Sequence, residues 1–155
     1  MRTASLARPA IGLTLLTLLL TACGGTVTYG SGNLRIDLTR DRLVIHDHIR
    51  FGHDSAAILE ESYPLLNAVV EVLRDNEGDV VAMQVHGHSS ADGDDAHNLE
   101  LSEARAAAVV AYLEEQGVTQ DLSSRGFGEE HLLCREETDA CHARNRRVEF
   151  IVSHR

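Results

Sequence analysis

No lysine occurs in this chain of 155 residues, so all 14 of its Lys-or-Arg positions are arginine. That choice speaks to base composition more than to function. Positive charge is scarce as well, because 24 acidic residues leave a formal net charge of −10. Setting aside Arg2 and Arg8 of the N-terminal segment moves −10 to −12. Such a surface argues against nucleic acid and anionic membrane faces as partners. Aromatic residues make up only 4%, yet a hydrophobic content of 43% is enough for one core. The length fits one domain with appendages. The N-terminal apolar stretch, Ile11 to Leu20, is ten residues long and too short to span a bilayer. Catalytic signatures are missing too: there is no nucleophile elbow, no H-E-x-x-H and no phosphate loop. Asp92, Asp94 and Asp95 do not follow the D-x-D-x-D-G calcium pattern and read as a solvated acidic turn. The chain therefore reads as a non-enzyme with no cofactor and no metal.

What is present centres on residues 85–113, VHGHSSADGDDAHNLELSEARAAAVVAYL. Val80, Val81, Met83 and Val85 predict a buried strand. The glycines and acidic residues from Gly87 to Asp95 predict a turn. Asp94 or Asp95 suits the N-cap of a helix that closes at Gln116-Gly117. At 100° per residue, Asn98, Leu101, Arg105, Ala108 and Tyr112 share one face of that helix. Arg105 then stands where a core residue is expected. A buried arginine needs an anion, because an unpaired buried charge costs several kcal/mol. An internal carboxylate such as Asp47 or Glu149 would serve, and so would a ligand carboxylate gripped at a cleft mouth.

Around this centre the chain predicts further elements. Arg42 to Phe51 alternates as a first core strand, with Leu43, Ile45, Asp47 and Ile49 on one face. Leu66, Val69, Val70 and Leu73 predict a helix over Glu60 to Asn76, with Pro64 in its first turn. Leu122 to Gly128 and Arg147 to Ser153 predict two more strands, with a polar loop from His131 to Arg144 between them. Leu34, Ile36 and Leu38 alternate as a possible extra edge strand.

The motif G-H-S-S-x-x-G, followed by N-x-x-L-S-x-x-R-A-x-x-V-x-x-Y-L, resembles the OmpA-like C-terminal domain. The matching residues are Gly87, His88, Gly93, Asn98, Leu101, Ser102, Arg105, Ala106, Val109, Tyr112 and Leu113. Arg125 to Glu129 and Asn145 to Glu149 extend the resemblance, which covers about residues 42–153. The family includes the peptidoglycan-associated lipoprotein and flagellar stator proteins. The resemblance implies an α+β fold, a β-α-β-α-β-β two-layer sandwich whose mixed sheet carries its helices on one face. A short connection between the last two strands agrees with a mixed sheet.

The resemblance also implies non-covalent binding of peptidoglycan through the meso-diaminopimelate of the stem peptide. In the family an Asp takes the diaminopimelate ammonium and the Arg takes a carboxylate. Arg105 occupies the Arg position, but Ser90 stands where the Asp is expected. Serine carries no charge, so a charge-assisted bond of about 1.5–3 kcal/mol is lost. Asp92, Asp94 or Asp95 could substitute from the same loop. The expected ligand residues are Arg105, Asn98, Ser90, Ser89, His88, Leu101, Phe51, Gly52, Arg146 and Arg147. The alternative is an envelope protein that keeps the fold, has a weakened ligand site and docks a protein partner. Tol-type or other envelope proteins are the candidate partners.

The N-terminus resembles a bacterial lipobox, Leu20-Thr21-Ala22-Cys23 after a positive and an apolar region. The expected division is a signal peptide at 1–22, then 23–41 with a lipidated Cys23, a tether at Gly24 to Asn33 and the possible edge strand. The peptidoglycan-binding domain follows at 42–155. Acylation, palmitate included, at about 0.8 kcal/mol per buried CH₂ would anchor it firmly. Gly24 rather than Asp follows the cysteine, which favours the outer membrane, with the domain facing the periplasm. Cys134 and Cys141 remain as an even pair and read as a disulfide worth about 2.5 kcal/mol by loop entropy. Zinc on His131, Cys134, Cys141 and His142 is disfavoured, since H-x2-C-x6-C-H is not a familiar zinc spacing.

Overall fold

A computed structural model describes residues 27–31 and 34–155 of the chain. The expected signal peptide and Cys23 lie outside the described residues. Six strands form one sheet: β1 (Val27–Ser31), β2 (Leu34–Leu38), β3 (Arg42–Ile45), β4 (Val80–Gly87), β5 (Asp121–Gly126) and β6 (Val148–His154). Their order across the sheet is β1-β2-β3-β6-β4-β5. β4 and β5 are parallel and every other pairing is antiparallel. The sheet is mixed, as expected, because β4 reaches β5 through a helical crossover while β6 returns antiparallel beside β4. The helices are α1 (Tyr63–Asp75), α2 (Asp95–Glu115) and α3 (Asp139–Asn145).

Helix α1 forms because its apolar residues recur with helical spacing. Leu65, Leu66, Val69, Val70, Val72 and Leu73 are buried. Burying each such side chain contributes roughly 1.5–3 kcal/mol. Pro64 falls in its first turn, where no N–H is needed, and a 3-10 turn at Glu60–Ser62 leads in. The Asp94 side chain caps α2 by accepting from the His97 N–H at 3.0 Å. Helices and strands share one core, with Ile36, Leu66, Met83, Val85, Val109, Leu113 and Phe150 among its members.

Four expectations need correction. The core line of α2 is Asn98, Ser102, Ala106, Val109 and Leu113, so Arg105 lies on its half-buried flank rather than on the core face. Small residues are needed on that line. A Cβ on Gly87 would overlap the Ser102 carbonyl oxygen, and one on Gly126 would lie 2.5 Å from the Glu103 nitrogen. Strand β3 stops at Ile45 instead of Phe51. The Asp47 carboxylate accepts from the His48 N–H at 2.7 Å there, which favours a turn over a ladder. Phe51 makes only an isolated bridge to Ile58.

Part of the expected tether is strand β1, which pairs with β2, so Leu34 to Leu38 is an inner strand and not an edge. The connection before β6 is not short, and the expected polar loop contains α3. The Thr138 side chain caps that helix by accepting from the Cys141 N–H at 3.3 Å.

Candidate ligand-binding site

The C-terminal ends of β3 and β4 and the N-terminal end of β6 open into a cleft of about 430 Å³. Three connections build it: residues 46–59, 88–94 and 127–147. Of the expected ligand residues, the structure brings Phe51, His88, Arg105, Arg146 and Arg147 together in its lining. It does not place Gly52, Ser89, Ser90, Asn98 or Leu101 there. Ser89, Ser90 and Asn98 are buried beneath. The Asn98 side chain donates to the carbonyls of Ser90 at 3.2 Å and Asp92 at 3.0 Å, which holds the turn closed. Asn98 shapes the cleft from behind.

Arg105 is held from two sides. Its Nε donates to the Ser55 carbonyl at 3.0 Å, and its guanidinium lies 5.3 Å from the Phe51 ring centroid. Neither Asp47 nor Glu149 reaches it. Asp47 bonds its own neighbour, and Glu149 is bound by Arg42 at 3.1 Å and Arg147 at 2.7 Å. Among the described residues the terminal nitrogens of Arg105 have no protein acceptor. Burial lowers its pKa, the nearby Arg146 charge lowers it further, and Asp54 opposes both. An arginine that is desolvated and repelled by a like charge is poised for an anion.

Asp54 lies in the first connection, outside the cleft lining, and its charge acts on Arg105. Its carboxylate lies 2.6 Å from His97 Nε2 on α2. That hydrogen bond, with the His97 charge, holds Asp54 below its usual range and raises His97. Asp54 adopts a left-handed φ of 46°, which Asp tolerates better than most residues. Asp94 is committed to capping α2, which removes it as a stand-in for the missing Asp.

The two arginines before β6 have different fates. The Arg147 Nε donates to Glu149 at 2.7 Å, and its terminal nitrogens reach the carbonyls of Asn145 at 3.4 Å and His131 at 3.2 Å. It is a structural tie. Burial works against the charge of Glu149, but the Arg147 hydrogen bond and charge win and hold its pKa down. The side chain of Arg146 is exposed and has no acceptor among the described residues. Its position follows from a disulfide between Cys134 and Cys141, with Cα atoms 5.7 Å apart. The Asn145 side chain reinforces this by accepting from Leu133 N–H at 2.8 Å and donating to the Cys134 carbonyl at 2.9 Å. With the two sulfurs joined, the zinc alternative loses its thiolates. His131 packs on Phe127 instead, ring centroids 5.0 Å apart.

His88 stacks on Phe127 at 5.3 Å with 11° between the rings. It is 4% exposed, and neither ring nitrogen has a hydrogen-bond partner. Burial, with the Arg147 charge second, pushes its pKa down from 6.5 to about 4. The ring is therefore neutral at physiological pH. His48 and Arg50 also line the cleft, and the sequence reading missed them as lining residues. The polar run His46-Asp47-His48 is the signal that could have ended the strand early enough to find them.

The OmpA family matches this chain over residues 50–146, and the chain belongs to that family. The peptidoglycan-binding protein ArfA of Mycobacterium tuberculosis is 32% identical over 106 residues, 68% of this chain and 32% of that protein. The peptidoglycan-associated lipoprotein of Legionella pneumophila is 32% identical over 102 residues, 65% of this chain and 57% of that protein. This chain thus spans less than three fifths of the length of either curated relative. Among solved structures, the cell wall anchor of the T6SS from Pseudomonas aeruginosa superposes with a TM-score of 0.61 at 25% identity. That match covers 84% of this chain and 88% of the anchor. Over the matched residues this is a domain of a structural rather than an enzymatic family.

Proposed function

We propose that this chain is an outer-membrane lipoprotein that binds peptidoglycan through the diaminopimelate of the stem peptide and so ties membrane to wall. The observation that carries the reading is Arg105. Its Nε is fixed by the Ser55 carbonyl while its terminal nitrogens lack any protein acceptor among the described residues. A carboxylate entering the cleft would meet a guanidinium already oriented for two parallel hydrogen bonds. The relatives named above support the wall as the source of that carboxylate.

The ammonium of diaminopimelate needs a negative partner, and Ser90 offers none. Asp54 takes this role in our reading, because its charge acts on Arg105 and its pair with His97 on the surface keeps it ionised. The tether reading draws on the direction of β1. Val27 pairs with Leu38 and β1 runs toward the cleft, as β4 does. Its N-terminal end, four residues after Cys23, is the end away from the cleft. Acylation at Cys23 would then present the cleft to the wall rather than to the membrane.

Arg105→Ala in the detergent-solubilised full-length protein tests the reading. Co-sedimentation with purified sacculi should fall to background while the thermal melt moves little. Undiminished pelleting of the variant would remove Arg105 from the site. Ser90 itself favours a second reading, an envelope protein whose groove is retired and which docks another protein. Free meso-diaminopimelate separates the two: it competes a weakened wall binder off sacculi, and a retired groove shows no pelleting that responds to it.

A further inference from the structure

Four arginines line the cleft, and two of them are paired with carboxylates. Arg50 pairs with Glu61 at 3.3 Å, and Arg147 with Glu149 at 2.7 Å. Glu61 is the one carboxylate among the lining residues, and Arg50 uses it. Arg105 and Arg146 have no carboxylate among the described residues. Two guanidiniums without a paired carboxylate in one cleft repel each other, and the fold nevertheless brings both to its lining. Arg105 is held by Ser55 and Phe51. Arg146 caps the C-terminus of α3, which the Cys134–Cys141 disulfide and the Asn145 side chain anchor.

We propose that Arg146 forms a second carboxylate subsite beside Arg105, so that the cleft holds a stem peptide by two of its carboxylates. The inference rests on the reading of Arg105 given above and adds a ligand requirement to it. A single carboxylate neutralises one guanidinium and leaves the other uncompensated. A ligand with two neutralises both. His88 supplies an independent indication from the same cleft. It is buried, it lines the cleft, and both ring nitrogens lack partners. A neutral imidazole presents one donor and one acceptor. A peptide N–H or carbonyl that reached the ring would pair with one of them.

The ligand class is therefore a short peptide with two free carboxylates and an amide between or beside them. A stem peptide in which D-glutamate is joined through its γ-carboxyl fits. Its free α-carboxylate and the main-chain carboxylate of diaminopimelate are the two possible sources of the second anion. Amidation of the right one should abolish the role of Arg146.

The test titrates full-length wild-type and Arg146→Gln protein, solubilised in detergent, with four probes. These are free meso-diaminopimelate, the tripeptide L-Ala–γ-D-Glu–meso-diaminopimelate, and two tripeptides amidated at one or the other candidate carboxyl. Arg146→Gln should weaken the free-acid tripeptide about tenfold or more. It should leave unchanged the amidated tripeptide that lacks the carboxylate Arg146 holds, and which one is insensitive names the source. Arg146→Lys should recover part of the loss. Circular dichroism of the variant should match wild type, since Arg146 is exposed. Equal weakening of all three tripeptides, or of none, overturns the second subsite. If wild type binds diaminopimelate but Arg146→Gln changes nothing, this proposal alone fails. If wild type binds none of the probes, the reading of Arg105 fails with it.

Discussion

The two ends of the sheet differ in how completely they are satisfied. At the end away from the cleft, polar groups close on one another. His154 Nδ1 lies 2.8 Å from the Asp79 carboxylate, Thr119 donates to Glu77 at 2.8 Å, and Gln120 donates to the Leu73 carbonyl at 2.6 Å. At the cleft end, among the described residues, the terminal nitrogens of Arg105 and the side chain of Arg146 lack acceptors, and His88 and Ser89 bury side-chain atoms with no hydrogen-bond partner. Asp54 there takes up a left-handed backbone. Local consistency is what makes a sequence fold, and the places that violate it are where function is expected. The difference separates the part of the chain that holds the fold from the part that waits for a ligand.

His88 gives the largest expected effect on stability. Its pKa falls from 6.5 to about 4 on folding, so the folded state disfavours its proton. The fold therefore has this contribution in full above about pH 6.5 and loses it as pH falls through about 4. The loss reaches as much as about 3 kcal/mol. Urea unfolding at pH 7 and pH 4 should show a steeper decline for wild type than for His88→Gln. Parallel declines would mean that His88 is not the strained group. At the other end, Asp79→Asn removes an exposed pair and should cost under about 1 kcal/mol. It should leave sacculus binding untouched, and a loss of binding there would erase the distinction between the two ends.

Much of the fold was legible because it rests on local patterns. The Asp94 cap, Pro64 in the first turn of α1 and the apolar β4 were each readable from a few neighbouring residues. Helix α3 was missed because it is seven residues long and mostly polar, although Thr138 was a capping signal. The core line of α2 was displaced because a stripe counted through Arg105 looks apolar. Close packing against Gly87 and Gly126 selected Ser102 and Ala106 instead.

The site was legible only in part. Arg105 was marked by its motif, but Ser55, which orients it, and Asp54, whose charge acts on it, lie about 50 residues earlier. Only the folded chain brings them together. The sequence could not rank Arg146 against Arg147, because Glu149 and two backbone carbonyls decide that only in three dimensions.

The most direct measurement is co-sedimentation of the detergent-solubilised full-length protein with purified sacculi, with and without free meso-diaminopimelate. A cleft that uses Arg105 to grip the stem peptide predicts pelleting that the free amino acid competes away. A folded protein that stays in the supernatant, or that pellets equally well with the competitor present, would contradict the account.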